Sequence, residues 1–75
     1  MLTDIEIFVI EKVKEIRISK GISQAELAYK IGVSSGFIGK VECLKYNSKY
    51  NLNLINRIAK AFNISPRDLL PNTYL

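Results

Sequence analysis

The side chains of this 75-residue chain that could do chemistry are hydroxyls, amides, phenols and ammonium groups; there is no histidine and only one cysteine, Cys43. Without an imidazole, a second thiol or clustered carboxylates, neither a nucleophile–base pair nor a metal-ligand set can be assembled. An enzyme is therefore not expected, and neither is a cofactor or a metal. Cys43 reads as an ordinary thiol rather than a redox sensor. What remains is recognition by hydrogen bonds and charge, and the groups suited to it gather in two stretches. One is Ser23–Glu42, SQAELAYKIGVSSGFIGKVE; the other is Lys45–Tyr50, KYNSKY.

The elements that must position these groups follow from the apolar spacing. Leu27, Ala28 and Ile31 form one helical stripe, and Gly32 stands where the chain must turn, because glycine reaches positive φ without steric cost. Val33, Ile38 and Val41 mark the inner face of a second short helix, and Ala28 is small enough to let the two approach closely. That is the pattern of a helix-turn-helix, the unit that lays its second helix in the DNA major groove. Around it, helix starts announce themselves by their caps. Thr3 with Glu6, Ser23 with Glu26 and Ser65 with Asp68 each fit a capping box, the last with Pro66 at the first helical position. Ser34 and Asn51 fit as simpler caps. The chain is therefore predicted to be all-α, with five helices and no strand. The first runs from Asp4 to Lys20 and stops at Gly21. Its Val9, Ile10, Val13 and Ile16 form a core stripe. Ile5, Ile7 and Phe8 are in excess of that stripe and are expected to extend the core beneath the C-terminal tail; a partner surface is the alternative.

The bulk numbers fit one small domain spanning residues 1–75, near the lower limit for a self-sufficient core. Hydrophobic residues make up 48% of the chain and the net charge is +4. The charge is uneven. Residues 1–15 carry Asp4, Glu6, Glu11 and Glu15 against Lys12 and Lys14, whereas the rest carry nine basic and three acidic side chains. Positive charge outside the first helix favours a polyanionic partner. A single cysteine suits a reducing compartment, and the acidic N-terminus lacks the basic region of a signal peptide. No apolar run reaches membrane-spanning length. A cytoplasmic location is expected.

The residues Gln24, Leu27–Ala28, Ile31–Gly32–Val33, Ile38, Val41 and Glu42 together resemble the Cro/repressor-type (Xre-like) helix-turn-helix family of prokaryotic transcription regulators. Arg17 before the motif, Ile55, Ile58 and Ala59 after it, and Ile64, Ser65, Leu69 and Leu70 near the end extend the resemblance from about Val9 to Leu70. The resemblance implies a lambda-repressor-like five-helix domain, with its motif at 23–42 and a recognition helix from Ser34 to about Glu42. It implies base contacts from Ser34, Ser35, Gly36 and Lys40, with Ser34 serving as a cap as well. It implies a phosphate contact from Gln24, and a structural ion pair between Arg17 and Glu42. The loop residues Lys45, Tyr46, Asn47, Ser48, Lys49 and Tyr50 are further phosphate candidates, although loops are often polar without function. Phe37 is expected to pack beneath that loop.

Two departures from the family pattern stand out. Gly36 and Gly39 lie inside the expected recognition helix, where each costs about 1 kcal/mol relative to alanine. Leu44 stands where many relatives end that helix with glycine. The leading expectation is a homodimeric regulator that binds double-stranded DNA sequence-specifically, without a cofactor or small-molecule ligand and away from membranes. Small repressors, controllers of restriction–modification operons and antitoxins all fit that description. The alternative is a protein-interaction module, antitoxin-like, that keeps the fold with weak DNA binding.

Overall fold

The computed structural model describes residues 1–75 and contains four α-helices: α1 (Asp4–Ser19), α2 (Gln24–Ile31), α3 (Ser35–Cys43) and α4 (Leu52–Phe62). There is no strand. Each helix opens on a residue named above. Thr3, Ser23, Ser34 and Asn51 each accept a hydrogen bond from the backbone N–H three residues on. The reciprocal bond completes the capping box at Thr3–Glu6, where the Thr3 N–H donates to the Glu6 carboxylate at 2.8 Å. At Ser23 only the hydroxyl half forms.

The expected fifth helix is a correction. Ser65, Pro66 and Asp68 do build a capping box, but the helix is a single 3-10 turn, Pro66–Leu69. The reason lies in Pro71. A residue preceding proline is driven out of the α region, and Leu70 is extended at φ −108°, ψ 155°. The helix cannot propagate past it.

The other ends obey backbone chemistry with one exception. Gly21 and Gly32 take left-handed φ of 68° and 77°. Asn63 takes the same region after α4, at φ 57°, as asparagine can. After α3, Leu44 itself adopts φ 65°. It does not tuck into the core as a buried residue; 37% of its surface is exposed. A branched side chain held there carries conformational strain of about 1–2 kcal/mol.

One core joins all four helices. It contains Val9, Ile10 and Val13 from α1, Leu27, Ala28 and Ile31 from α2, and Ile38 and Val41 from α3. Ile55, Ile58, Ala59 and Phe62 come from α4, with Tyr50 and Leu69 closing it. Of the surplus apolar residues of α1, Ile7 and Phe8 are half-buried, with Phe8 bordering the C-terminal segment at Arg67, Asp68 and Leu70, whereas Ile5 departs from the expectation. Ile5 is 44% exposed, and Tyr74 and Leu75 at the chain end are 95% and 62% exposed, so the tail does not cover it. Ile5 instead lines an open apolar groove with Val9, Tyr50, Leu52, Ile55 and Leu70. No helix is long and apolar enough to cross a membrane.

Candidate nucleic-acid interface

The interface is organised from a buried ion pair outward. Arg17 on α1 and Glu42 on α3 each have about 9% of their surface exposed. The guanidinium meets the carboxylate through two parallel bonds, Nε to Oε2 at 2.8 Å and Nη2 to Oε1 at 2.9 Å. Its remaining nitrogen, Nη1, donates to the Ile22 carbonyl at 2.7 Å, just ahead of α2. Gln24, the first residue of α2, donates from Nε2 to Glu42 Oε1 at 3.0 Å. One carboxylate thus ties α1, the entrance of α2 and the last turn of α3 together. A bidentate fork fixes orientation as well as distance, so the last turn of α3 is oriented against α1 at this point, and the Gln24 bond joins the start of α2 to it.

Gln24 is placed for two tasks. One amide N–H is committed to Glu42, and a second donor stays at the helix start, where backbone N–H groups also lack partners. Its carbonyl oxygen lies across from Gly39; a Cβ built there would sit 3.5 Å from it, an ordinary contact.

On α3, Ile38 and Val41 point inward with no exposed surface. The opposite side carries Ser35, Gly36 and Lys40, all exposed. Ser34, also exposed, accepts from the Phe37 N–H at 3.2 Å and so caps the helix. Nothing lies within 4 Å of where a Gly36 Cβ would stand. Neither glycine of α3 is among the positive-φ residues, so no internal constraint requires glycine at either position.

The loop divides in two. Lys45, Tyr46 and Asn47 are exposed beside α3, with the Lys40 ammonium 5.7 Å from the centre of the Tyr46 ring. Ser48 is half-buried. Lys49 reaches back to α1, its Nζ 3.0 Å from Glu6 Oε2. Tyr50 corrects the expectation of a phosphate contact. Only 7% of it is exposed, and its ring meets Phe37 edge-on at 6.2 Å. A ring next to α4 gains more from burial than from solvent, which is why this tyrosine joins the core. Its hydroxyl has no partner within the protein. Burial, then the nearby Glu42 charge, push that hydroxyl above its ordinary value of 10.0, with Arg17 opposing. The Glu6 carboxyl moves the other way: the Thr3 backbone N–H, then Lys49, hold it below its ordinary 4.5.

Three connections were not visible in the sequence: Gln24 to Glu42, Lys49 to Glu6, and Lys40 to Tyr46. The acidic bias of α1 was a signal for the second. The first and third depend on side-chain directions that spacing does not encode. The surplus positive charge is also split between faces, because Lys30, Arg57 and Lys60 line a separate shallow concavity between α2 and α4.

Residues 12–71 match the Cro/C1-type HTH DNA-binding domain. The control protein C.BamHI of Bacillus amyloliquefaciens is 32% identical over 74 residues, 97% of this chain and 89% of that protein. The crystal structure of the restriction-modification controller protein C.AhdI from Aeromonas hydrophila is 33% identical, with a TM-score of 0.73 over 85% of this chain and 94% of that one. The fold recurs elsewhere: hydroxypropylphosphonic acid epoxidase from S. wedmorenis matches with a TM-score of 0.78 at 21% identity, but over only 36% of the enzyme's chain. A shared fold does not carry function by itself; here fold, motif and near full-length relatives agree. The chain belongs to the Cro/C1-type helix-turn-helix family of DNA-binding regulators.

Proposed function

We propose that this chain is a sequence-specific transcription regulator that acts in the cytoplasm as a homodimer, occupying promoter DNA without a cofactor. The observation that carries the reading is the Arg17–Glu42–Gln24 network. It ties the start of α2 to the last turn of α3 while Ser35, Gly36 and Lys40 stay exposed on the outer side. In this reading α3 enters the major groove. Lys40 donates to guanine O6 and N7, Ser34 and Ser35 donate or accept, and Gly36 brings backbone close to a base edge. Gln24, Lys45, Asn47, Ser48 and Lys49 contact phosphates, which supply most of the affinity and the register. With two serine side chains and one lysine for direct readout, sequence-dependent DNA shape contributes to selection.

The two control-protein relatives favour one biological setting, the control of a restriction–modification operon. A dimer would place two α3 helices on half-sites about one helical turn apart. Selection from a randomised duplex pool at moderate salt tests this: enrichment of an inverted repeat is expected, and its spacing reports the dimer geometry. Recovery of a single unpaired site would overturn the dimer, and no recovery even at low salt would overturn DNA reading itself.

A second reading, an interaction module with weak DNA binding, draws on the exposed apolar groove at Ile5, Leu52 and Leu70. The salt dependence of duplex affinity separates the two, because only phosphate contacts release counterions.

A further inference from the structure

We infer that Tyr46 is a positioning residue for Lys40, acting through the face of its ring rather than through its hydroxyl. The inference rests on the DNA-binding reading and adds a determinant of specificity that lies outside the recognition helix.

The chain geometry brings the two together. α3 ends at Leu44 in the left-handed region, φ 65°, and Asn47 takes φ 55° three residues later. Two such reversals bracket Lys45 and Tyr46 in a short loop directly after α3. Tyr46, between them, is 59% exposed, and the Lys40 Nζ lies over its ring, 5.7 Å from the centroid. That distance is within the range at which an ammonium is attracted by the negative face of an aromatic ring.

The consequence concerns entropy and aim. A lysine side chain has four rotatable bonds and loses much freedom when fixed against a base. None of the ion pairs in the molecule involves Lys40, so an aromatic face is its restraint. Held over the ring, the ammonium is kept on the loop side of α3 and is partly ordered before DNA arrives. Pre-ordering lowers the entropy lost on binding. It also narrows which base pair the lysine can reach, so the ring contributes to discrimination without touching DNA. A contact from the Tyr46 hydroxyl to phosphate would act differently: it would change affinity for every duplex alike.

Two conservative variants distinguish these roles. Tyr46→Phe keeps the ring and removes the hydroxyl; Tyr46→Leu keeps apolar bulk and removes the ring face. In the free protein, NMR should show the Lys40 ε-methylene protons shifted upfield by the ring, with the shift kept in Tyr46→Phe and lost in Tyr46→Leu. With a duplex recovered by selection and single-base variants of it, wild type and Tyr46→Phe should discriminate equally. Tyr46→Leu should lose about two- to fivefold in discrimination, the fold-change matching an exposed cation–π contact. The loss should fall at the base pairs where Lys40→Ala loses it, and the double variant should do no worse than Lys40→Ala alone. The salt slope should stay unchanged throughout the Tyr46 series.

The proposal is overturned if no upfield shift is present, if Tyr46→Phe loses discrimination as Tyr46→Leu does, or if the effects of Tyr46→Leu and Lys40→Ala add. Absence of any duplex preference in wild type would overturn the DNA-binding reading instead, while the shift in the free protein would still report on the Lys40–Tyr46 contact.

Discussion

Helices α3 and α4 have similar lengths, nine and eleven residues, but meet opposite demands. α4 places Ile55, Ile58, Ala59 and Phe62 in the core and contains no glycine. Its apolar stripe is explained from within the molecule. α3 places only Ile38, Val41 and Glu42 inward, and two of its nine residues are glycines that no internal contact or backbone angle requires. On propensity alone they cost about 2 kcal/mol together. α3 is therefore held less by its own preference than by its Ser34 cap, its two core residues and the Arg17–Glu42 pair. A helix whose composition is unexplained from inside is one shaped for something outside.

The sharpest way to break this contrast is at Glu42. Glu42→Ala leaves the Arg17 guanidinium buried without its partner, and a loss of about 3–5 kcal/mol is expected. Glu15→Ala, whose i,i+3 pair with Lys12 is exposed, should change stability by less than about 0.5 kcal/mol. Equal shifts in thermal unfolding would remove the anchoring role. The double variant Arg17→Met with Glu42→Leu should recover most of the stability, since apolar replacement of a buried pair is often neutral. It should still bind DNA less well, because Gln24 loses its acceptor.

At Gly36 the two demands should separate. Gly36→Ala is expected to stabilise the fold by about 1 kcal/mol, there being nothing within 4 Å for the new methyl to strike. If α3 faces DNA, the same variant should bind the selected duplex more weakly. A gain in stability with unchanged affinity would mean that glycine is not used there at all.

Tyr50 links the two helices, its ring against Phe37 of α3 just before α4 begins. Tyr50→Phe removes a buried hydroxyl without a protein partner and should stabilise by about 1 kcal/mol. Its raised value means that the folded state keeps the proton longer than the unfolded chain does. The associated stability is full below pH 10 and is lost as pH rises through the folded value, so the variant should lose less stability than wild type at alkaline pH. Denaturant midpoints on both sides of pH 10 check both parts.

The smallest effect belongs to Lys49. Its pair with Glu6 joins the loop to α1 at the surface, and the Glu6 carboxyl is held below its ordinary 4.5. That contribution is present above the ordinary value and lost as pH falls through the folded one. Lys49→Gln should therefore unfold slightly more readily than wild type at neutral pH, and the two should converge in acid. A difference that widens in acid would contradict the assignment.

Much of the fold was legible because its signals are local. Caps, glycine turns and periodic apolar residues each act over three or four positions, and Thr3, Ser23, Ser34 and Asn51 all start helices as read. The fifth helix failed because Pro71 acts on the residue before it and outweighed a well-formed cap. Tyr50 failed for a different reason: KYNSKY reads as polar and basic, but whether a tyrosine turns to solvent or to the core depends on where α4 docks. Leu44 shows the limit of residue preference, since the turn after α3 takes left-handed geometry without glycine. The side-chain network around Glu42 was legible as a pair by resemblance; its third member, Gln24, joins only once α2 docks beside the end of α3.

The most direct test of the central claim, that α3 and the start of α2 lie against DNA, is the salt dependence of binding to a selected duplex. The account predicts that affinity falls steeply as salt rises, by about 0.9 in log K per log salt for each phosphate contact. The slope should be reduced in a variant with Lys45 and Lys49 both changed to glutamine and unchanged in Lys30→Gln, which lies on the other basic face. Affinity that is absent at low salt, or a slope that responds to Lys30 and not to the loop, would contradict it.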